Sequence, residues 1–423
     1  MKKASHWIAV AALALLSATV ADNAKGSERV ITHDELMDKL SGFWIGQLLG
    51  NYIGFPFENK YVEEPVPILV DRVYTAGYDG DPELMINSRD RRGHIPVLVS
   101  ALRGAFSDDD TDIEFVTLHA VEKYGLDITY PEITQMWMTH INDYIWVANR
   151  EARNLMDRGL IAPDTGRRQN NKHWFQIDPQ LVNEIWSAFY PGMTKRAADR
   201  ALWGARITND DWGTHPTIAY GAMISAAFFE SDVRKLVDIA VEAVPDEGPF
   251  AEGIRDVVKW HSEHDDWRET RQRIHDRYYA YKKGSYEAPV SVVSSLANGL
   301  TGVMAVLYGE GDYMKTVGIA TSAGYDCDNQ AATAGGLIGV LNGLSGMGEA
   351  AVEQTMSLPA FGRWDKPFND QYVNISRDEI KLRTPISEIV ERIAAVAKAA
   401  ILENGGRMEV RDGKTVYVVN SDL

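Results

Sequence analysis

Apolar residues recur at helical spacing along most of this chain. Thr32-His33-Asp34-Glu35 has the form of a capping box, and Leu36, Leu40, Phe43 and Trp44 follow it three or four residues apart. The same spacing predicts helices at about 112–124, 179–189, 194–205, 216–229, 232–243, 249–262, 267–281, 291–308, 329–343 and 386–403. Stop and start signals support several of them, such as Gly125 after Lys123 and Thr214 before Pro216. Strand-like alternation is nearly absent until Met408 to Val419, where it surrounds Asp412-Gly413, a hairpin signal. No fixed-period repeat and no Pro- or Ser-rich linker interrupts 30–400. The pattern predicts an all-α fold: one compact multi-helix domain over 30–403, followed by a small C-terminal β-hairpin over 404–423. Segments 59–95 and 126–178 read as irregular, and loops that long are functional lids or poorly ordered.

The N-terminus follows a different pattern. Lys2 and Lys3 precede an apolar run from Ile8 to Val20, and Thr19 and Ala21 are small residues spaced for cleavage. That run is shorter than the ~20 residues that span a bilayer. It predicts a secretory signal over 1–21 and a secreted or periplasmic protein, with no membrane insertion after cleavage. The formal charge of the 423-residue chain is −17; losing Lys2 and Lys3 leaves 41 basic against 60 acidic residues, a charge of −19. Such a surface repels nucleic acid and anionic membranes. The one cysteine, Cys327, cannot form an internal disulfide.

Three clusters carry chemistry. In the first, glycines stand at 46, 50 and 54, a smooth helical stripe that lets another helix approach, and Glu58 follows at a Pro-containing turn. The second is Asp108-Asp109-Asp110-Thr111-Asp112 at a helix start. One or two acids there complement the helix dipole, but four in five residues repel one another unless a cation lies among them. An EF-hand does not fit, because Ile113 and His119 stand where its Gly and Glu belong. The third cluster, Asp326-Cys327-Asp328-Asn329, opens a helix of small residues too smooth to be exposed. Buried carboxylates need partners, and an oxygen-only donor set points to Mg²⁺, Mn²⁺ or Ca²⁺.

In order and spacing these clusters resemble the ADP-ribosylglycohydrolase family, of the dinitrogenase-reductase-activating glycohydrolase type. The resemblance extends over about 31–400 and is most specific from Leu296 to Gly343. It implies an all-α fold, two divalent metal ions (Mg²⁺ first, with Mn²⁺ or Ca²⁺ as alternatives) and hydrolysis at the anomeric carbon of a ribose. Residue by residue, it makes Asp109 and Asp110 the second motif's carboxylates and Asp326 and Asp328 the third's. Glu58 becomes the first motif's acid, at the metals and the reacting sugar. Asn51 stands where the family has Asp, Asp108 where it has a metal-binding Thr, and Asn329 where it has the last Thr. With Asp108, six carboxylates face four positive charges: one is protonated, or Asp108 turns away, or the cation differs.

The expected metal ligands are thus Asp108, Asp109, Asp110, Asp326, Asp328 and Asn329, with Glu58 and Asp109 catalytic and Asn51, Trp212 and His215 binding substrate. His261 and His264 read as a solvated face and Cys327 as a small buried residue. Arg167, Arg168, Lys172 and His173 read as a phosphate clamp or as loop surface. Six of the eleven tryptophans fall between Trp137 and Trp212, a density that suits stacking on a sugar or base ring, or core packing. The function expected is an exported, metal-dependent glycohydrolase acting on a ribosyl or related furanosyl bond of a small molecule or glycan. The alternatives are true ADP-ribosyl-protein hydrolysis and an inactive binding or structural member of the family. Mass spectrometry of the exported protein should find a mature chain beginning near Asp22; an intact Met1 on a cytoplasmic pool would contradict the signal reading.

Overall fold

A computed structural model describes residues 27–79, 84–86, 89, 92–106, 109–358 and 362–423. The signal-like segment 1–21 lies outside them. After strand β1 (Ser27–Thr32), helices follow one another almost to the C-terminus. They are α1 (His33–Gly54), α2 (Ile95–Leu102), α3 (Thr111–Tyr124), α4 (Tyr130–His140), α5 (Val147–Asp157), α6 (Ile185–Phe189), α7 (Thr194–Ala205) and α8 (His215–Ala226). Next come α9 (Val233–Ala243), α10 (Pro249–Glu263), α11 (Trp267–Ile274), α12 (Ser295–Gly309), α13 (Tyr313–Ser322), α14 (Cys327–Asn342), α15 (Glu349–Met356) and α16 (Ile386–Glu403). The fold is mostly helical and forms a single domain.

Helix α1 begins where its capping residue predicts, with the Thr32 hydroxyl oxygen accepting the Glu35 N–H at 3.1 Å. From Gly42 onward every residue of α1 is buried, and α14 is buried from Cys327 to Val340. Both therefore run through the core rather than over it. They lie antiparallel, with Gly42 against Gly339, Gly46 against Gly335, Gly50 against Ala331 and Gly54 against Asp328. A Cβ on Gly46 would lie 2.3 Å from the Gly335 carbonyl oxygen, and one on Gly50 would lie 2.2 Å from that of Ala331. Only hydrogen fits at this distance, because the obstructing atoms are backbone.

Three features differ from the sequence reading. The hairpin β6 (Arg407–Arg411) and β7 (Lys414–Ser421) turns at Asp412-Gly413 as expected, but it is not a free extension. β1 pairs antiparallel with β7, Ser27 opposite Ser421 and Thr32 opposite Val416, giving a three-stranded sheet in the order β1-β7-β6. Six residues of β1 are too few for alternation to declare them. Just past β7, the Asp422 carboxylate accepts the backbone N–H groups of Thr194 and Lys195 at 2.7 and 2.9 Å, closing the start of α7.

Second, segment 126–178 is not irregular throughout, since it contains α4 and α5. Pro131 stands in the first turn of α4, where Pro is well placed. Thr129 and Glu132 complete a capping box there, the Thr129 N–H donating to Glu132 Oε2 at 2.8 Å. Third, the short helices α2, α13 and α15 carry too few apolar repeats to be read from spacing. Of the segment 59–95 read as irregular, the described residues up to 91 form turns without helix or strand, but Arg92–His94 is a 3-10 turn and α2 begins at Ile95.

The α1–α14 contact makes a prediction. Gly46→Val should destabilise the protein by ~1–3 kcal/mol or more through overpacking against backbone. A denaturant midpoint equal to wild type would show that the two helices do not meet so closely.

Candidate active site

The same contact joins the first and third acidic motifs. A Cβ on Gly54 would lie 2.2 Å from the Cα of Asp328, so the end of α1 sits on the start of α14. Beyond Phe55 the chain turns through Pro56 and Phe57 and delivers Glu58. A backbone joint then fixes the two loops together. The Asn59 N–H donates to the Tyr325 carbonyl at 2.8 Å, and the Tyr325 N–H donates to the Tyr61 carbonyl at 2.8 Å. Gly324 makes the joint possible: its φ is +81° and a Cβ would lie 1.9 Å from the Tyr61 carbonyl oxygen. Arg271, fully buried, clamps both sides. Its Nε donates to the Ala323 carbonyl at 3.1 Å and its Nη1 to the Glu63 carbonyl at 2.7 Å, while Nη2 donates to the Val62 carbonyl.

In consequence, carboxylate oxygens of Glu58, Asp326 and Asp328 lie within 4.8 Å of one another. Asp109 and Asp110 arrive from the start of α3. Asn51, one turn before the end of α1, donates from Nδ2 to Asp110 Oδ2 at 2.7 Å. Glu58 receives Arg92 Nε at 2.8 Å and Asn59 Nδ2 at 2.8 Å. All five acids and Asn329 line one cavity of about 150 Å³. Burial, then the charges of Asp328, Asp178 and Asp109, push the Asp326 carboxyl well above the usual carboxylate range. Carboxylates crowded and desolvated in this way are a site for a cation, and an all-oxygen donor set suits a hard divalent one.

The sequence profile of the ADP-ribosylglycohydrolase family matches residues 32–379. The chain belongs to that family. A solved structure titled an ADP-ribosylglycohydrolase-related protein complex shares the fold, with a TM-score of 0.52 at 14% identity. The match covers 87% of this chain and 99% of that one. Comparison with curated proteins gives no match.

Against this family pattern, the structure gathers Glu58, Asp109, Asp110, Asp326, Asp328 and Asn329 as the sequence reading expected. Asp108 lies outside the described residues. The other acid of its run, Asp112, is committed elsewhere: it is buried, accepts from Tyr372 and Ser376, and lies 3.7 Å from Arg377 Nε. The run of four acids is thus divided, and Asp112 anchors the segment leading to α16.

Three expected substrate contacts are not on the cavity wall. Asn51 is fully buried behind Asp110 and holds that carboxylate. Trp212 packs in the core, 5.1 Å from the Trp174 ring. His215 is buried, which pushes its imidazole down to about 4 and keeps it neutral. Of the six tryptophans from 137 to 212, Trp146 is the one among the lining residues.

The remaining candidates take the plainer reading. Arg167 and Arg168 pair with Asp164 and Asp211 at 3.0 and 3.1 Å on exposed loops. Cys327 is buried with Sγ 3.6 Å from the Gly54 carbonyl, and burial raises its thiol pKa. Sequence reasoning missed Arg92, Asn149 and Asp178, all on the wall. They stand in stretches read as irregular, and none belongs to the acidic motifs that the sequence reading singled out. Burial pushes Asp178 up to about 7.

One helical turn beneath the site lies a second polar layer. Gln47 is four residues before Asn51, Glu114 four after Asp110 and Thr333 four after Asn329. Gln47 Nε2 donates to Glu184 Oε2 at 3.0 Å, and the Ile185 N–H donates to Glu114 Oε1 at 2.6 Å. Burial pushes Glu184 up to about 8, and burial plus the neighbouring Glu184 raises Glu114 well above its ordinary value. The layer therefore adds little charge beneath the carboxylates at neutral pH.

A carboxyl whose folded pKa is raised stabilises the fold fully below its unfolded value of ~4.3 and loses that contribution as pH rises through the folded value. In EDTA, stability should accordingly fall as pH rises towards about 8, and Glu184→Gln should flatten the slope. Urea midpoints measured across pH 5–9 check this; an unchanged slope in the variant would contradict it.

Proposed function

We propose that this protein is an exported, metal-dependent glycohydrolase that cleaves a ribosyl or related furanosyl bond. The observation that carries the reading is the convergence of Glu58, Asp109, Asp110, Asp326 and Asp328 on one cavity, within a chain that belongs to a glycohydrolase family. Asp109, Asp110, Asp326, Asp328 and Asn329 would hold two divalent ions, Mg²⁺ by preference. Bound there, such ions supply Lewis acidity toward the sugar's vicinal hydroxyls and toward a water.

The chain's own residues supply the rest. Departure from an anomeric carbon passes through an oxocarbenium-like transition state. Glu58, held through both oxygens by Arg92 and Asn59, presents an oriented carboxylate that can stabilise that positive charge or take a proton from the attacking group. Asn51 and the backbone joint at Tyr325 keep the carboxylates from moving apart as charge develops. The near-complete acidic set speaks against an inactive structural member, which would have no use for it.

Export rests on the basic and apolar leader at 1–21. No described helix is long and apolar enough to cross a membrane. An extracytoplasmic glycan, nucleoside or glycoside fits that destination better than an intracellular ADP-ribosylated protein.

A hydrolysis screen over furanosides, nucleosides and ADP-ribosyl peptides, with and without Mg²⁺, Mn²⁺ or Ca²⁺, tests the reading. Saturating metal, at ~100 times its dissociation constant, should add ~2.7 kcal/mol of stability. Glu58→Gln should lower turnover by ~10²–10⁴-fold. A melting temperature unmoved by EDTA and by all three ions would contradict the metal assignment.

A further inference from the structure

The acidic motifs build only part of the cavity. The rest of its wall comes from Trp146, Val147 and Asn149 at the start of α5 and from Ile177, Asp178 and Val293. Four of these are apolar. The two polar ones are almost fully enclosed, with Asn149 1% and Asp178 7% exposed. Asp178 Oδ1 accepts the backbone N–H of Asn149 at 3.0 Å, which ties it to the first turn of α5. Its other oxygen, Oδ2, has no hydrogen-bond partner, and neither has Oδ1 of Asn149. Buried acceptors are nearly always satisfied, and leaving one unmade is costly. Two such oxygens on the wall of one cavity call for donors that a ligand brings.

The surroundings narrow the ligand. The only cationic side chain among the described lining residues is Arg92, which is paired with Glu58 at 2.8 Å. Asp178 adds a sixth carboxyl to the five of the acidic motifs, so the wall disfavours a phosphate. The cavity's volume of about 150 Å³ falls below the ~300–1,000 Å³ of pockets for drug-sized ligands, and suits one small ring. Apolar side chains beside paired acceptors match a ring with C–H groups on its faces and O–H groups at its edge.

Resting on the glycohydrolase reading, we propose that Asp178 and Asn149 read the hydroxyl edge of a single uncharged sugar ring, and that any phosphate or protein part of the substrate stays outside the cavity. Asp178 and Asn149 then discriminate substrates by their hydroxyl pattern, a role distinct from that of the metal-binding acids.

Methyl β-D-ribofuranoside and its 2-, 3- and 5-deoxy analogues serve as probes, titrated with saturating Mg²⁺ into wild type and Asp178→Asn and followed by saturation-transfer NMR. The substitution keeps an oxygen for the Asn149 N–H and removes the second acceptor. The parent probe should bind Asp178→Asn about 10–100-fold more weakly than wild type. One deoxy analogue should show a similar loss in wild type and no further loss in the variant, the signature of a direct contact. Mg²⁺ affinity should fall by well under tenfold, the effect of losing one nearby charge and not a ligand.

Equal probe affinity with a lowered melting temperature would reduce Asp178 to a tie for α5 and overturn the proposal. A tenfold or greater loss of Mg²⁺ affinity would make Asp178 a metal ligand and overturn it too. Binding of ADP-ribose but not of the furanoside would overturn the uncharged-ring assignment. Failure of the glycohydrolase reading shows separately, as wild-type protein that neither responds to metal nor turns over any glycoside.

Discussion

Two helices meet through their backbones at the centre of this protein, with nothing larger than hydrogen between them at Gly42, Gly46 and Gly50 of α1. Glycines in mid-helix lower intrinsic helix stability, so their use here reflects what the close approach provides. It sets the axial register of α1 against α14. That register places Gly54 on Asp328, and with it Glu58 beside Asp326, although 268 positions separate Glu58 from Asp326 in the chain. A side chain inserted anywhere along the stripe would push apart two sets of carboxylates as well as two helices.

The electrostatics follow from that proximity. Five carboxylates on one small cavity raise one another's energy, and the protein offsets the repulsion only in part. Arg92 meets Glu58, Asn51 meets Asp110, and in the layer beneath burial raises Glu114 and Glu184 above the usual carboxylate range, which limits the charge added from below. What is left is a strongly anionic pocket whose walls are fixed from behind. Arg271 contributes by spending a fully buried guanidinium on three backbone carbonyls, locking the Glu58 loop to the Asp326 turn. A preorganised, unrelieved cluster of this kind is what a tightly bound divalent ion requires.

Much of this was legible in the sequence, and the physical reasons differ from residue to residue. Glycines every fourth residue and a run of small, uncharged residues after Gln330 announce a close helix pair, because no exposed helix benefits from them. Asp326, Asp328, Asp109 and Asp110 declare themselves by spacing at helix starts. Asp112 could not be told from them, since its turn toward Arg377 depends on a contact 265 positions away in the chain. Asn149 and Asp178 were invisible for the same reason: each is an ordinary polar residue until the fold buries it. Trp212 and His215 lay near a real feature, the tryptophan-rich stretch, but the aromatic density there serves the core, and only Trp146 reaches the cavity. Helix α4 carries a Pro in its first turn, where it starts a helix rather than ending one.

Anomalous diffraction at the manganese edge, from crystals of the Mn²⁺-loaded protein, addresses the central claim most directly. The account predicts anomalous density between the start of α14 and the start of α3, within coordination distance of Asp109, Asp110, Asp326 and Asp328 and beside Glu58. Density elsewhere on the molecule, or none in this cavity at saturating Mn²⁺, would show that the α1–α14 contact assembles these carboxylates for some purpose other than holding metal.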